Sequence, residues 1–224
     1  MVPVYNEADL VPTALPRLIA AAEESGAPYR IIIVENGSTD GTAQVARETA
    51  GEAPVEVISL PEPDYGAAMQ AGFMAADGDW VINLDIDYFS AEFLKTVVEQ
   101  PATVDLVIGS KRDPSSRDRR PLIRRVATRV FNLLLRLILD SRVTDTHGMK
   151  GFRRPLVDDL APQVVSTRDL FDTELVVRAE RAGYRIVEVP VHVEEMRLAR
   201  SSLLKRVPRT ISGLFRIRRL LRQR

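Results

Sequence analysis

Two aspartates, Asp85 and Asp87, stand one residue apart directly after the apolar segment 80–84. If that segment is a strand, both carboxylates lie on the turn at its carboxyl end and can face the same side. Mg²⁺ and Mn²⁺ prefer oxygen ligands and commonly use one or two carboxylates together with substrate phosphates. The pair therefore predicts a divalent-cation site. Because D-x-D is a short pattern, a solvated turn without a ligand is the alternative.

A run of basic residues is the second feature that could bind a substrate. It begins at Lys111-Arg112 and continues through Arg119-Arg120 to Arg124-Arg125. Planar guanidinium groups bind phosphate through paired hydrogen bonds. The run therefore suits an anionic substrate, with a solvated basic loop as the alternative.

The charge of the chain is divided between its two halves, although the net charge is zero. Residues 1–110 hold four Lys/Arg against eighteen Asp/Glu, whereas residues 111–224 hold twenty-seven against thirteen. Such a division suggests a cation in the acidic half and an anionic partner for the basic half. The absence of cysteine excludes disulfides and thiolate chemistry, and two histidines are too few for a three-histidine metal site.

The elements that must position these residues follow from the alternation of apolar runs and helical spacing. We predict strands at 2–4, 30–34, 55–60, 80–84 and 105–110, with helices at 10–25, 42–50, 65–76 and 91–100. This order predicts an α/β domain whose mostly parallel sheet is covered by helices on both faces. Ligands of such sheets bind beyond the carboxyl ends of the strands. Residues there include Glu7, Glu35, Asn36, Asp85 and Asp87.

Residues 122–139 have the spacing of an amphipathic helix. One side would carry Arg124, Arg125, Thr128, Arg129, Asn132 and Arg136, and the other Leu122, Ile123, Val126, Val130, Leu133, Leu134, Leu137 and Ile138. The segment is too short and too charged to span a bilayer, so we expect it at the membrane interface. A core helix packed against the sheet is the alternative.

Residues 201–224 are expected to form a basic amphipathic tail. Ten basic and no acidic residues occur between 197 and 224. An apolar side would comprise Leu203, Leu204, Val207, Ile211, Leu214 and Phe215. Such segments attract anionic lipids. A nucleic-acid partner is not expected, because interleaved aromatic residues are scarce and no nucleic-acid-binding motif is present.

Several motifs, in order, resemble family 2 glycosyltransferases. They are Pro3-Val4-Tyr5-Asn6-Glu7, the segment 35–42 (ENGSTDGT), Gly66 to Gly72, Ala76-Asp77-Gly78-Asp79 and Asp85-Ile86-Asp87, followed by Gly109-Ser110-Lys111, Gly151-Phe152-Arg153 and the segment 174–190. The similarity covers most of residues 1–200. Within the family, the chain resembles the polyprenyl-phosphate glycosyltransferases, the subgroup that includes dolichol-phosphate mannosyltransferase.

The resemblance implies a GT-A fold in one domain, residues 1–200, and an inverting transfer from a nucleotide-sugar donor. It implies Mg²⁺ or Mn²⁺ as cofactor, with Asp85 and Asp87 as metal ligands. Donor-binding residues would be Pro3, Tyr5, Glu7, Glu35, Asn36 and Asp85. Acceptor and phosphate contacts would come from Lys111, Arg112, Arg125, Arg153 and Arg197, with Asp87 and Arg125 as the catalytic residues.

Three departures from the family pattern qualify this assignment. Glu35 and Asn36 replace two aspartates that contact the nucleoside, which leaves the base open. Phe89 stands where related mannosyltransferases carry a metal-binding glutamine. The first strand is clipped to about three residues, which suggests a late start site.

The resulting hypothesis is transfer of a sugar to a polyprenyl phosphate by a peripheral protein at the cytoplasmic face of a membrane. A phosphate monoester is already an anion near neutral pH and needs no general base. Two alternatives stay open. One is a soluble transferase acting on a hydroxyl acceptor, with Asp145 or Asp172 as base. The other is a non-catalytic lipid-binding remnant. No signal peptide or membrane-spanning run is visible in the sequence.

Overall fold

The structure is a computed structural model that describes residues 1–110, 130–143, 148–166, 170–191 and 203–222, with side chains from 210 onward in the last range. Its strands are β1 (Val2–Val4), β2 (Ile31–Glu35), β3 (Val55–Ser59), β4 (Trp80–Asn83), β5 (Leu106–Ser110), β6 (Lys150–Arg153) and β7 (Ile186–Pro190). The strands and helices predicted up to residue 110 are confirmed, each within two residues of its predicted ends.

The helices lie between and after the strands. They are α1 (Val11–Glu24), α2 (Thr42–Ala50), α3 (Tyr65–Ala75), α4 (Ala91–Val98), α6 (Arg154–Leu160), α7 (Phe171–Arg181) and α8 (Leu203–Leu221). Helix α5 comprises helical residues 130–134 and their π-helical continuation Leu135–Leu139. A 3₁₀ turn, Ala161–Gln163, follows α6. No helix in the part of the chain that is described combines the length and hydropathy needed to cross a membrane.

Two sheets form the centre of the fold. The first contains β1, β2 and β3, all parallel, with β2 in the middle. The second has the order β4-β6-β5-β7, in which β6 runs antiparallel to β4 and β5, while β5 and β7 are parallel. The expected parallel sheet is therefore confirmed for the first three strands, and β6 makes the second sheet mixed.

Met1 joins the two sheets. Its amino group donates a hydrogen bond to the Ile82 carbonyl (2.7 Å), and its carbonyl accepts one from the Leu84 amide (3.1 Å). In a parallel ladder, the N–H and C=O of one residue bond to the residues before and after its partner on the next strand. Met1 bonds in this way to the residues on either side of Asn83. β1 thus lies between β2 and β4, and the carboxyl ends of all three strands point the same way.

Helices cover both faces of the sheets, as predicted. Core residues of α1, α2 and α4 form the cluster on one face, and those of α3, α6 and α7 form the cluster on the other. On the second face, the ring of Phe73 lies edge-on to Phe152 at 5.2 Å and stacks with Phe171 at 5.8 Å. Offset and edge-on aromatic pairs contribute about 0.5–1.5 kcal/mol beyond their buried area.

Helix α8 is packed against the body of the protein. Its Leu214 and Ile217 are fully buried in a cluster with Leu135 and Leu139 of α5 and Val177 of α7. The Arg181 side chain donates to carbonyls near the ends of both α5 and α8. The sequence separated residues 201–224 as a tail, whereas this packing attaches the helical part to the rest of the domain.

The faces of α5 differ from those predicted. Asn132, expected on the polar side, is buried, whereas Val130, Leu133 and Leu137 are 52%, 55% and 68% exposed. The side of α5 that carries Leu135, Ile138 and Leu139 packs into the cluster shared with α7 and α8, so the opposite side of the helix faces outward. An outward row of apolar side chains results.

We predict that a chain that starts at Met1 has a pH-dependent stability, which arises at its terminal amino group. Burial lowers the pKa of its amino group from 8.0 to about 5. Between these values the unfolded chain binds the proton and the folded chain does not, so stability is highest above pH 8 and falls as the pH approaches 5. Each pKa unit corresponds to about 1.4 kcal/mol. Urea unfolding at pH 8, 6.5 and 5 measures the loss.

One glycine added before Met1 is the control, because it replaces the titrating amine by an amide N–H that can donate the same hydrogen bond to Ile82. A cavity of about 720 Å³ beside Met1 leaves room for the added residue. We expect the extended chain to lose less stability between pH 8 and pH 5. An equal loss in both chains would refute this role of the amine.

Candidate functional site

The carboxyl ends of β1, β2 and β4 form one edge of the fold. Val4 lies opposite Glu35 in the β1–β2 ladder, and Leu84 is bonded to Met1 at the start of β1. The loops that begin at Tyr5, Asn36 and Asp85 therefore leave the sheets side by side. The sequence predicted that the residues after these strands lie together at the carboxyl ends, and the strand order confirms it.

The two aspartates of the D-x-D motif lie on a tight turn. The Tyr88 amide donates to the Asp85 carbonyl at 3.0 Å, which closes the turn. Ile86 and Tyr88 are buried in the core cluster below it. Asp85 is exposed and Asp87 is half-buried. Alternate residues thus anchor the turn and present the carboxylates.

This arrangement fits a hard divalent cation that is shared with a substrate. Phe89 packs its ring against the core cluster and supplies no ligand. Within the described residues, no group of three His, Asp or Glu side chains could hold a metal ion on its own. Two carboxylates leave coordination positions for phosphate oxygens or water, which is how Mg²⁺ is commonly bound.

The loop after β1 is bonded to the loop after β2 through side chains. The Asn6 amide donates to Ser38 Oγ, and the Thr39 amide donates to Asn6 Oδ1, both at 2.9 Å. Asn6 has a φ of 53°, in the left-handed region that asparagine tolerates better than most residues. The Glu7 amide donates to Thr42 Oγ1 at 2.9 Å. These bonds fix the position of the first loop.

Asp40 completes this network. Its carboxylate accepts hydrogen bonds from the Ala8 amide, the Thr42 amide and the Thr42 hydroxyl. Desolvation alone would raise the pKa of Asp40, but the hydrogen bonds from Thr42 and Ala8 outweigh it and lower the pKa. Asp40 is therefore an ionised anchor between the two loops.

Glu35 and Asn36 are buried at the centre of the edge, 5% and 8% exposed. The Glu35 carboxylate accepts from the Ser38 amide, and Asn36 Oδ1 accepts from the Asp64 amide at 2.7 Å. The next residue, Gly37, lies so close to residues 62–63 that an added Cβ would be 2.6 Å from the Glu62 carbonyl carbon. Both predicted donor-binding side chains help to build the loop in which they lie.

The other predicted donor-binding residues are at the same edge. Pro3 is a β1 residue opposite Val34, Tyr5 follows the strand and is 46% exposed, and Glu7 is 8% exposed where α1 approaches. Tyr5 is therefore the one of these three whose side chain is open to a ligand in this structure.

Arg153 lies elsewhere. It pairs with Trp80, the first residue of β4, and so lies at the opposite end of that strand from the D-x-D turn. Its guanidinium donates to the carbonyls of Gln100, Pro101 and Val104 and stacks over the Trp80 ring at 4.1 Å. The phosphate contact expected of Arg153 is not supported, because its donors cap the end of α4. Lys111, Arg112, Arg125, Arg197 and Asp145 lie outside the described residues.

A buried polar cluster beneath the edge joins two residues that were not singled out, Asn83 and Lys150, to Asp172. Lys150 Nζ donates to Asp172 Oδ2 at 3.1 Å and to the Gly148 carbonyl at 2.8 Å, and its side chain is fully buried. Asn83 lies opposite Lys150 in the ladder and donates to the same Asp172 oxygen at 3.5 Å. The available signal was the polar residue Asn83 at the end of the apolar strand β4, and the strand β6, which begins with Lys150, carries no comparable signal.

Comparison with known proteins agrees with this geometry. The family described as Glycosyl transferase family 2 matches residues 1–161. An uncharacterized glycosyltransferase of Mycobacterium tuberculosis is 36% identical over 193 residues, which are 85% of this chain and 82% of that protein. Glycosyltransferase AglD of Haloferax volcanii is 32% identical over 204 residues, 87% of this chain and 32% of its own length.

A third relative is an undecaprenyl-phosphate 4-deoxy-4-formamido-L-arabinose transferase of Salmonella paratyphi A. It is 30% identical over 201 residues, 87% of this chain and 59% of its own length. Among solved structures, glucosyl-3-phosphoglycerate synthase of Mycobacterium tuberculosis, in complex with Mn²⁺ and UDP, has a TM-score of 0.69 at 19% identity. It covers 96% of this chain and 76% of that one. Mannosyl-3-phosphoglycerate synthase of Rubrobacter xylanophilus also has a TM-score of 0.69, at 23% identity, covering 99% and 73%.

We predict that Thr42→Val weakens the bond between the two loops. The valine keeps the shape of threonine but loses the hydroxyl that accepts from Glu7 and donates to Asp40. The free energy of unfolding should fall by about 1–2 kcal/mol. The Asp40 carboxyl should titrate at a higher pH than in the unmodified chain, which carbon-detected NMR measures.

Thr96→Val is a matched control, because the Thr96 hydroxyl donates to the Glu92 carbonyl within α4 and not to Asp40. It should leave the Asp40 titration unchanged. An unchanged Asp40 titration in Thr42→Val would show that the hydroxyl does not hold this carboxylate.

Proposed function

The chain belongs to glycosyl transferase family 2 and has the GT-A fold, and from this premise we propose that it transfers a sugar from a nucleotide-sugar donor to a polyprenyl phosphate at the cytoplasmic face of a membrane. In this reaction an acceptor phosphate oxygen forms a bond to the anomeric carbon of the sugar. The bond from that carbon to the donor diphosphate breaks, and a nucleoside diphosphate leaves.

The donor would bind at the carboxyl edge of β1, β2 and β4. Tyr5, Glu7, Glu35 and Asn36 surround the place for the nucleoside, and Asp85 and Asp87 would hold Mg²⁺ or Mn²⁺ beside the diphosphate. A cation bound there supplies positive charge to the leaving diphosphate. The Mn²⁺ and UDP in the solved synthase, which shares the fold, support this assignment.

The observation that carries the acceptor assignment is the outward apolar row on α5. Val130, Leu133 and Leu137 each expose more than half of their surface, and Phe215 of α8 is 53% exposed. α8 packs on α5 and also bears Arg216 and Arg219. Exposed apolar side chains next to arginines match the chemistry of an anionic lipid surface.

Two further observations support a lipid phosphate acceptor. One relative of this chain is named for undecaprenyl phosphate. In addition, Asp172, a candidate general base for a hydroxyl acceptor, has one carboxylate oxygen paired with the ammonium of Lys150. A phosphate acceptor needs no such base. Its charge would instead be met by Lys111, Arg112, Arg125 and Arg197, by analogy with the related polyprenyl-phosphate enzymes.

The acceptor assay tests this function. We expect radiolabelled sugar to be transferred to a polyprenyl phosphate and not to a panel of soluble alcohols. Arg125→Ala should slow transfer roughly ten- to hundredfold, because a charge-assisted phosphate contact contributes about 1.5–3 kcal/mol. Donor affinity should stay within about twofold, a change of roughly 0.4 kcal/mol.

Asp87→Asn is the inactive control, since it removes a metal-binding charge at almost constant shape and should abolish transfer to every acceptor. If the protein transfers sugar to a soluble alcohol and Arg125→Ala leaves that transfer unchanged, the acceptor is a hydroxyl group and not a lipid phosphate. No binding or turnover of any nucleotide sugar would contradict the transferase proposal as a whole.

The membrane surface has its own test. Leu133→Ser combined with Leu137→Ser should weaken sedimentation with anionic liposomes roughly tenfold or more, since burial of a leucine is worth about 1.5–3 kcal/mol when complete. Both side chains are exposed, so the melting temperature should change little. Met74→Ser removes an equally apolar side chain, 43% exposed on α3, and should bind liposomes like the unmodified protein. Equal losses in both variants would exclude α5 as the lipid-binding surface.

A further inference from the structure

The buried cluster of Asn83, Lys150 and Asp172 contains two oxygen atoms that the fold does not use. Among the residues that the structure describes, Asn83 Oδ1 and Asp172 Oδ1 are both buried and have no hydrogen-bond partner. The two residues are 3% and 7% exposed. A buried acceptor without a donor costs about as much as a lost hydrogen bond, so such atoms are uncommon unless something else completes them.

The location of these oxygens connects them to the site. Asn83 is the last residue of β4, two residues before Asp85. Its side chain lies on the same face of β4 as Val81, which is the face covered by α7, and Asp172 is in the first turn of that helix. The cluster therefore lies beneath the edge at which the D-x-D turn begins.

The charge of the cluster indicates what can complete it. The Lys150 ammonium and the Asp172 carboxylate neutralise each other at 3.1 Å. A cation would be repelled by Lys150, and an anion would meet two acceptor oxygens. The remaining requirement is for neutral groups that donate hydrogen bonds. Hydroxyl groups have this property, and adjacent hydroxyls of one sugar ring can reach two acceptors on neighbouring side chains.

We propose that Asn83 and Asp172 bind hydroxyl groups of the sugar that is transferred, and that Lys150 is the positioning residue that holds Asp172 for this contact. The proposal rests on the proposed function and adds to it the residues that recognise the sugar. Sites that hydrogen-bond a substrate hydroxyl discriminate strongly against analogues that lack it or misplace it. The cluster would thus contribute to selection among sugars that differ at one hydroxyl.

Asn83→Leu is the decisive variant. Leucine has a similar volume and removes the unused acceptor together with the long 3.5 Å hydrogen bond to Asp172, so the melting temperature should change little. A panel of UDP-, GDP- and TDP-linked sugars first identifies the donor of the unmodified protein by calorimetry. We then expect Asn83→Leu to bind the nucleoside diphosphate alone within twofold of the unmodified protein and the complete nucleotide sugar about tenfold more weakly. Its preference between epimeric donors should fall by a similar factor.

Trp80→Phe is the matched control. Trp80 is on the same strand and also has a buried nitrogen, Nε1, without a partner, but it lies at the far end from the D-x-D turn. This change should leave both affinities and the epimer preference unchanged. A second variant, Lys150→Met with Asp172→Leu, removes the ion pair as a unit and avoids an unpaired buried charge. It should show the same selective loss of sugar binding.

The outcomes separate the two proposals. Equal affinity of Asn83→Leu and the unmodified protein for the nucleotide sugar, or an equal loss for nucleotide and nucleotide sugar, would overturn the sugar contact while leaving transfer intact. Failure of the unmodified protein to bind any nucleotide sugar would overturn both.

Discussion

Strand β1 is three residues long, and the arrangement of the site depends on how it is held. Its register with β2 places Val4 opposite Glu35, and Met1 bonds to Ile82 and Leu84 on the other side. Because all three strands are parallel at this point, their carboxyl ends open onto one edge. The D-x-D turn follows a strand of the second sheet, and this backbone joint brings it beside the loops at Tyr5 and Asn36, which follow strands of the first.

The loops at this edge are held by side chains that accept backbone hydrogen bonds. Loops cannot form ladder bonds, so their buried amide groups need other partners. Ser38, Asp40 and Thr42 provide them for the first loop, and Asn36 provides one for the residues before α3. Several polar residues at this edge therefore serve the local fold, whereas the side chains of Asp85 and Tyr5 are exposed.

The apolar cluster formed by α5, α7 and α8 connects the site to a surface. α5, α7 and α8 share one set of buried leucine, isoleucine and valine side chains, and α7 also carries Asp172 at its first turn. The helix that contributes to the buried cluster under the site thus also supports the helices with the exposed apolar row. In the proposed function, α7 therefore contacts both the sugar site, through Asp172, and the lipid-facing helices, through Val177.

Much of the fold follows from the sequence alone. Short continuous apolar runs and period-3.6 spacing identify the elements up to residue 110, because the runs indicate buried strands and the spacing indicates helices buried on one side. The order of motifs identifies the family. The D-x-D turn was also predictable, since an apolar strand followed by two carboxylates is a local signal. Tertiary structure decided the rest. The ladder and the end of α4 place the Arg153 guanidinium away from the edge. Packing against α7 and α8 selects the side of α5 that is buried, and the pairing of β4 with β6 brings Asn83 next to Lys150. These outcomes depend on contacts between residues far apart in the chain, whose side-chain directions are set by neighbouring strands and helices and not by the local pattern.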